Sequence, residues 1–189
     1  MTDAMILLPT SIDLVSEQVE ATTDDGWSSP SPCEGWSAVD VLAHATGTLQ
    51  TAIGSMGGGD SAAAPADAAN ASAMSEVVTQ WEETAAKAAD TIVAASPDQS
   101  VSTPDGEVPL SEELALPAAD LAVHAWDLAA AGGRRLDLPD DLIEHVERVV
   151  ANIPPAQLRS DGLFGPEVDA PADASRTEKL MAYLGRRRP

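Results

Sequence analysis

Cysteine and lysine are scarce in this chain of 189 residues, which has one cysteine, Cys33, and two lysines, Lys87 and Lys179. A single cysteine excludes an internal disulfide and excludes a cysteine-rich zinc ribbon. A thiol that stays free fits a reducing compartment, so a cytoplasmic location is expected. A fold of this size does not need such crosslinks, because it buries roughly 70% of the surface that its unfolded form exposes.

Basic side chains are also few, since 10 Lys and Arg residues stand against 31 Asp and Glu, for a net charge of −21. The field of such a chain repels phosphates and anionic lipid headgroups. We therefore expect neither nucleic acids nor membranes as partners. The acidic excess is expected mainly to solvate the surface, with adaptation to salt as one source of it.

Long hydrophobic runs are missing as well. The apolar run Met5 to Leu8 near the start is too short for a signal peptide or a membrane span, and no basic region precedes it. We expect one domain over residues 1–189, without a targeting segment.

Helical periodicity dominates what the sequence does contain. Ser37 with Asp40 and Ser175 with Glu178 have the Ser-x-x-acid pattern that begins helices. A segment poor in large apolar residues, 57–72, is expected to be a flexible loop, and the run VSTPDGEV allows a short hairpin. The helices are predicted over about residues 9–23, 37–56, 74–95, 117–131 and 139–152, with a short one from 175. This pattern predicts an all-α bundle.

The chemistry-bearing residues centre on the histidines, of which there are three. Asp120 and His124 are four apart on one predicted helix, so their side chains leave the same face. His44, on the helix that begins at Ser37, is the available third ligand. Two imidazoles and a carboxylate suit a divalent metal with open positions. A hydrogen-bonded Asp–His pair without a metal is the alternative.

Other polar residues receive weaker predictions. Asp127 is a candidate to orient His124, because ligand histidines commonly give their second N–H to an oxygen; facing solvent or a nearby loop is its alternative. Cys33 is expected to be a small buried thiol, although it precedes the helix of His44 and could reach the metal. Solvated positions are expected for His145 and for the three terminal arginines, Arg186, Arg187 and Arg188. Packing roles are expected for the tryptophans Trp36, Trp81 and Trp126.

Three runs of the sequence resemble a known family. They are PCEGWSAVDVLAH (32–44), DLAVHAWDLAAAGG (120–133) and the ending 164–189, and they are similar to actinobacterial DinB-like metal-binding proteins related to mycothiol-dependent maleylpyruvate isomerase. The resemblance implies a DinB-like four-helix bundle with additional C-terminal helices. It also implies His44, Asp120 and His124 as ligands of zinc, with nickel or iron as alternatives, and mycothiol as a cosubstrate.

One departure from the family concerns its reaction. The isomerase-type proteins carry Glu where this chain has the shorter Asp120, so the resemblance implies metal binding more directly than isomerase activity. The leading hypothesis is an enzyme that uses a low-molecular-weight thiol to attack an electrophile. A metal-hydroxide hydrolase and a non-catalytic metal or small-ligand binding protein are the alternatives, and the expected assembly is a monomer or a homodimer.

Overall fold

The computed structural model describes residues 4–58, 74–103, 106–159 and 164–188. The described chain is helical apart from one short antiparallel hairpin. The helices are α1 (Ala4–Ala21), α2 (Ala38–Ile53), α3 (Met74–Ala94), α4 (Leu110–Glu113), α5 (Ala115–Ala131), α6 (Asp140–Ala151), α7 (Pro155–Leu158) and α8 (Arg176–Tyr183), and the strands are β1 (Ser100–Thr103) and β2 (Gly106–Pro109).

Four long helices form the bundle. Helix α5 packs mainly against α1 and α2, and α3 closes the bundle against α2 and α1. Helix α6 lies against α5, and α8 lies against α6. This confirms the predicted all-α bundle with additional C-terminal helices. None of the described helices is both long and apolar enough to span a bilayer.

Helix α5 is the central element. Almost every residue from Ala118 to Ala130 is buried, including the polar His124 and Asp127. The helix ends at Gly132, and Gly133 follows with a φ of +68°, as expected where Gly-Gly closes a helix. A polar side chain on this helix is therefore held by packing on several sides.

Helix starts were predicted well where a serine caps them. The Ser37 backbone N–H bonds to Asp40 Oδ2 at 2.8 Å, and the Ser175 backbone N–H bonds to Glu178 Oε2 at 3.0 Å. Helix α1 instead begins at Ala4, before the predicted start near Pro9, which lies inside it. Because α1 buries Leu7 and Leu8 completely or nearly so, packing outweighs the backbone hydrogen bond that proline cannot donate.

The predicted hairpin is present, with Val101 paired to Val108 across β1 and β2. Its expected turn residues, Pro104 and Asp105, lie outside the described residues. The predicted flexible loop 57–72 also lies outside them from residue 59 onward. The described part of that stretch belongs to a wide helical turn, Gly54–Gly58, that continues α2.

Candidate metal centre

Three side chains meet where α2 faces α5. His44 from α2 and Asp120 and His124 from α5 each offer one ligand atom, and these atoms lie within 4.8 Å of one another. The Nε2 atoms of both histidines are 3.4 Å from the carboxylate oxygens of Asp120. The three predicted ligands are thus brought together, with donor types that suit a divalent transition metal.

The burial of the three side chains is uneven. His124 is 6% exposed, whereas His44 and Asp120 are 24% and 27% exposed. One side of the cluster is therefore anchored in the bundle and the other is open. An open side is what a catalytic metal needs, because substrate or solvent must fill the remaining coordination positions.

Asp120 is held as an anion. The Thr48 hydroxyl donates a hydrogen bond to Asp120 Oδ2 at 2.8 Å. Burial alone would raise the pKa of Asp120, but the two neighbouring imidazoles lower it well below its ordinary value. The sequence analysis missed Thr48, although a signal was present, because Thr48 lies one helical turn after His44 on the same face of α2.

His124 is oriented by Asp127. Its Nδ1–H donates to Asp127 Oδ2 at 3.0 Å, and its Nε2 lies 3.4 Å from Asp120 Oδ1. Burial alone would lower the pKa of His124, but the carboxylates of Asp120 and Asp127 raise it well above its ordinary value. A proton and a metal ion would therefore compete for Nε2. Asp127 is wholly buried, so its solvent-facing alternative is wrong.

Cys33 contacts the same carboxylate. Its thiol donates to Asp127 Oδ2 at 3.2 Å, and the side chain is only partly buried. Burial, together with the charge of Asp127, raises the pKa of the Cys33 thiol. Cys33 is thus a hydrogen-bond donor to Asp127 rather than the fully buried packing thiol of the prediction.

The C-terminal arginines are not uniformly solvated. Arg186 is 9% exposed, and its Nε is 3.3 Å from Asp127 Oδ1, so the prediction is wrong for this residue. The ion pair with Asp127 offsets the free-energy cost of removing the Arg186 guanidinium from water. Arg187 is exposed, as predicted. The Arg188 guanidinium lies 5.2 Å from the centre of the buried Trp126 ring.

His145 is likewise buried, at 2% exposure, where a solvated side chain was predicted. Its Nε2–H donates to the Ala115 carbonyl at 2.8 Å, joining α6 to the start of α5. A signal existed in the sequence, because Leu142, His145, Val146 and Val149 have the i, i+3, i+4, i+7 spacing of one helical face. The acidic neighbours Glu144 and Glu147 belong to the opposite face, whereas Arg148 Nη1 lies 3.4 Å from His145 Nδ1.

The tryptophans divide between core and site. Trp81 and Trp126 are buried core residues, as predicted. The Trp36 ring lies 5.2 Å from the His44 ring and 6.4 Å from the His124 ring, between centroids. Trp36 therefore packs directly on both candidate ligands.

A small cleft adjoins the cluster between α5, α6 and the segment that begins at Phe164. Asp120 belongs both to its lining and to the candidate metal centre. The rest of the lining is apolar and includes Leu116, Val123, Val146 and Phe164. No basic side chain lines the part of the cleft that the structure describes.

The chain is similar to known proteins in sequence and in fold. Residues 8–129 match the family model of the mycothiol maleylpyruvate isomerase N-terminal domain. Two curated relatives, both uncharacterised proteins from strains of Mycobacterium tuberculosis, are 37% identical over 75 residues, which is 39% of this chain and 41% of each relative. The chain thus spans about two fifths of the length of the curated relatives that it matches.

Two solved structures share the fold. One is a crystal structure of mycothiol-dependent maleylpyruvate isomerase, with a TM-score of 0.60 and 20% identity. The other is a histidine-to-alanine mutant of that enzyme, with a TM-score of 0.61 and 19% identity. Each match covers 80% of this chain and 71% of the other. The resemblance seen in the sequence is confirmed, and the chain belongs to the family of the mycothiol maleylpyruvate isomerase N-terminal domain.

Proposed function

We propose that this protein binds one divalent metal ion through His44, Asp120 and His124 and uses a low-molecular-weight thiol such as mycothiol to attack an electrophile. The observation that carries the proposal is the convergence of three ligand atoms within 4.8 Å in a member of this family. The reaction class is thiol transfer or thiol-dependent isomerisation.

The residues present fit such an ion. Two imidazole nitrogens and a carboxylate favour zinc, with nickel or iron as alternatives. The Nδ1–H of His124 donates its hydrogen bond to Asp127, so Nε2 is the ring nitrogen that is left to bind a metal ion. A bound divalent ion lowers the pKa of a thiol and so supplies a thiolate at neutral pH.

The surrounding side chains have distinct tasks in this proposal. Thr48 holds the Asp120 carboxylate, and Asp127 holds the His124 ring. Trp36 lies beside both imidazoles, at 5.2 Å from His44 and 6.4 Å from His124 between ring centroids, and limits their movement on that side. The thiol and the electrophile would then approach from the side on which His44 and Asp120 are partly exposed.

The apolar cleft beside Asp120 supports a neutral, apolar electrophile. The cleft has a volume of about 30 Å³, so a methyl or methylene group of the electrophile would bury its surface against Leu116, Val123 and Val146. An anionic group there would lose its hydration against apolar side chains, which is costly. The cleft therefore accepts a neutral group of the electrophile more readily than a carboxylate.

A spectroscopic titration tests the proposed use of a thiol. Protein with Cys33→Ser is loaded with cobalt, so that no thiol of its own can reach the ion, and mycothiol is added. A new sulfur-to-cobalt charge-transfer band is expected, and it should be absent with a matched alcohol and absent in the additional variant Asp120→Ala.

The opposite results separate the alternatives. Cobalt that is bound without any band on addition of thiol would contradict the use of a thiol. If the same protein also hydrolyses an activated ester without thiol, the metal-hydroxide hydrolase becomes the better account. If neither the band nor ester hydrolysis is seen, a non-catalytic binding protein becomes the better account.

A further inference from the structure

Arg186 is a buried cation that sits behind the candidate metal centre. It follows α8 by three residues, and its Nε lies 3.3 Å from Asp127 Oδ1 and 3.4 Å from Asp127 Oδ2. Asp127 is wholly buried, so its charge needs a partner of opposite sign. Among the residues that the structure describes, Arg186 is the basic side chain that forms an ion pair with Asp127.

The Asp127 carboxylate links this cation to a candidate ligand. Oδ2 accepts hydrogen bonds from His124 Nδ1 at 3.0 Å and from the Cys33 thiol at 3.2 Å. Arg186 contacts both oxygens of the same carboxylate. A continuous set of contacts therefore runs from the C-terminal segment through Asp127 to His124.

The position of Arg186 is set by backbone packing as well as by charge. Gly185 has a φ of +77°, and a Cβ there would come within 2.7 Å of the Gly165 carbonyl carbon. The Arg186 guanidinium also lies 5.3 Å from the centre of the Phe164 ring. Because Phe164 lines the cleft beside Asp120, the same contact supports one wall of that cleft.

We propose that Arg186 is a positioning residue for the metal centre: it fixes the Asp127 carboxylate, and that carboxylate holds His124 with Nε2 directed at His44 and Asp120. The inference rests on the proposed metal binding. It concerns a segment outside residues 8–129, the part that matches the family model. It also gives the Arg186 side chain, which is 9% exposed, a task that packing alone does not.

The test is the zinc affinity of the purified chain, measured by competition with a chromophoric chelator. Arg186→Ala should weaken zinc binding by about 10- to 100-fold, the usual effect of removing a group that supports a ligand. Arg187→Ala, which removes the same charge from an exposed neighbour, should stay within about twofold of the wild type. Arg186→Lys should recover part of the affinity.

A double variant separates positioning from loss of stability. Arg186→Ala alone leaves the buried Asp127 charge unpaired, whereas Arg186→Ala with Asp127→Asn does not. If Arg186 acts through Asp127, the double variant should bind zinc as weakly as Asp127→Asn alone and no more weakly. A double variant that is much weaker than Asp127→Asn would overturn the proposed route.

The failure of this inference is distinct from the failure of the proposed function. A wild-type chain that binds no zinc contradicts the metal site itself. A wild-type chain that binds zinc, with Arg186→Ala equal to Arg187→Ala, overturns only the role of Arg186. Melting temperatures of the metal-free variants show whether each is folded during the titration.

Discussion

Thr48 and Asp120 lie on facing helices, and the Thr48 hydroxyl donates a hydrogen bond to Asp120 Oδ2 at 2.8 Å. The same oxygen lies 3.4 Å from His44 Nε2, one helical turn before Thr48 on α2. The carboxylate is thereby oriented by an uncharged group that would not compete for a metal ion. This arrangement fixes a ligand before any ion arrives, which reduces the entropy lost on binding.

The first prediction is that Thr48→Val lowers zinc affinity by about tenfold, because the variant keeps the side-chain shape and loses the donor to Asp120. Chelator competition measures the change. Thr51→Val is the matched control, since the Thr51 hydroxyl donates to the Gly47 carbonyl of its own helix. Equal affinities in the two variants would show that the Asp120 contact does not support the site.

The second prediction concerns the electrophile. The rate of thiol loss with ethyl bromoacetate, relative to the uncatalysed rate, should exceed that with bromoacetate by about tenfold or more, because a carboxylate in the cleft would lose its hydration against apolar side chains. The comparison uses zinc-loaded protein with one thiol at one pH. An equal or greater acceleration with bromoacetate would contradict the apolar cleft as the electrophile site.

A pair of variants locates that selectivity. Val149→Lys places a cation in the lining of the cleft, and it should reduce the preference for the neutral ester. Glu144→Gln changes the net charge by the same amount at a side chain that is 63% exposed on α6, and it should leave the preference unchanged. If both variants change the preference equally, net charge and not the cleft determines it.

The third prediction follows from His145. Burial, with the charge of Arg148 on the same helix, lowers the pKa of His145, so the unfolded chain takes up this proton at a higher pH than the folded chain does. His145 therefore has no effect on the free energy of unfolding well above its ordinary pKa of about 6.5, and it lowers that free energy as the pH falls below this value.

His145→Gln removes the titration and keeps a donor for the Ala115 carbonyl. Between about pH 7 and about pH 5, the variant should lose less of its free energy of unfolding than the wild type does. Urea unfolding of the metal-free proteins at both pH values measures this. Parallel losses in the two proteins would mean that His145 is protonated as easily in the folded chain as in the unfolded one.

The fourth prediction concerns the net charge of −21. Repulsion among the acidic side chains should weaken the compact state at low ionic strength, and added KCl should relieve it, since the Debye length falls from about 30 Å at 0.01 M to about 3 Å at 1 M. The melting temperature should rise by several degrees over this range. A flat or falling melting temperature would show that the acidic residues solvate the surface without straining the fold.

Much of the fold could be predicted from the sequence because its signals are local. The boxes at Ser37 and Ser175 fix where α2 and α8 begin, and Gly132 with Gly133 fixes where α5 ends. The pairing of Asp120 with His124 follows from helical spacing. His44 was the available third ligand because the chain has three histidines, and the family resemblance implied the same residue, but its meeting with the pair depends on how α2 packs against α5.

Contacts between distant segments could not be read in this way. Arg186 and Asp127 are 59 residues apart, and their meeting depends on the close approach of Gly185 to Gly165. A run of three arginines at the end of a chain looks the same in sequence whether one of them is buried or not. The start of α1 was predicted wrongly near Pro9. The local rule that places proline at the beginning of a helix was outweighed there by the burial of Leu7 and Leu8.

The metal content of untagged protein tests the central claim most directly. Elemental analysis by mass spectrometry, on protein expressed in medium that contains zinc, should find close to one divalent ion per chain. His124→Ala should lose most of it while the helical circular dichroism remains, whereas His145→Gln, a change at a buried histidine outside the cluster, should keep it. A wild-type chain without metal, or a His124→Ala variant that retains the full amount, would contradict the assignment of the site.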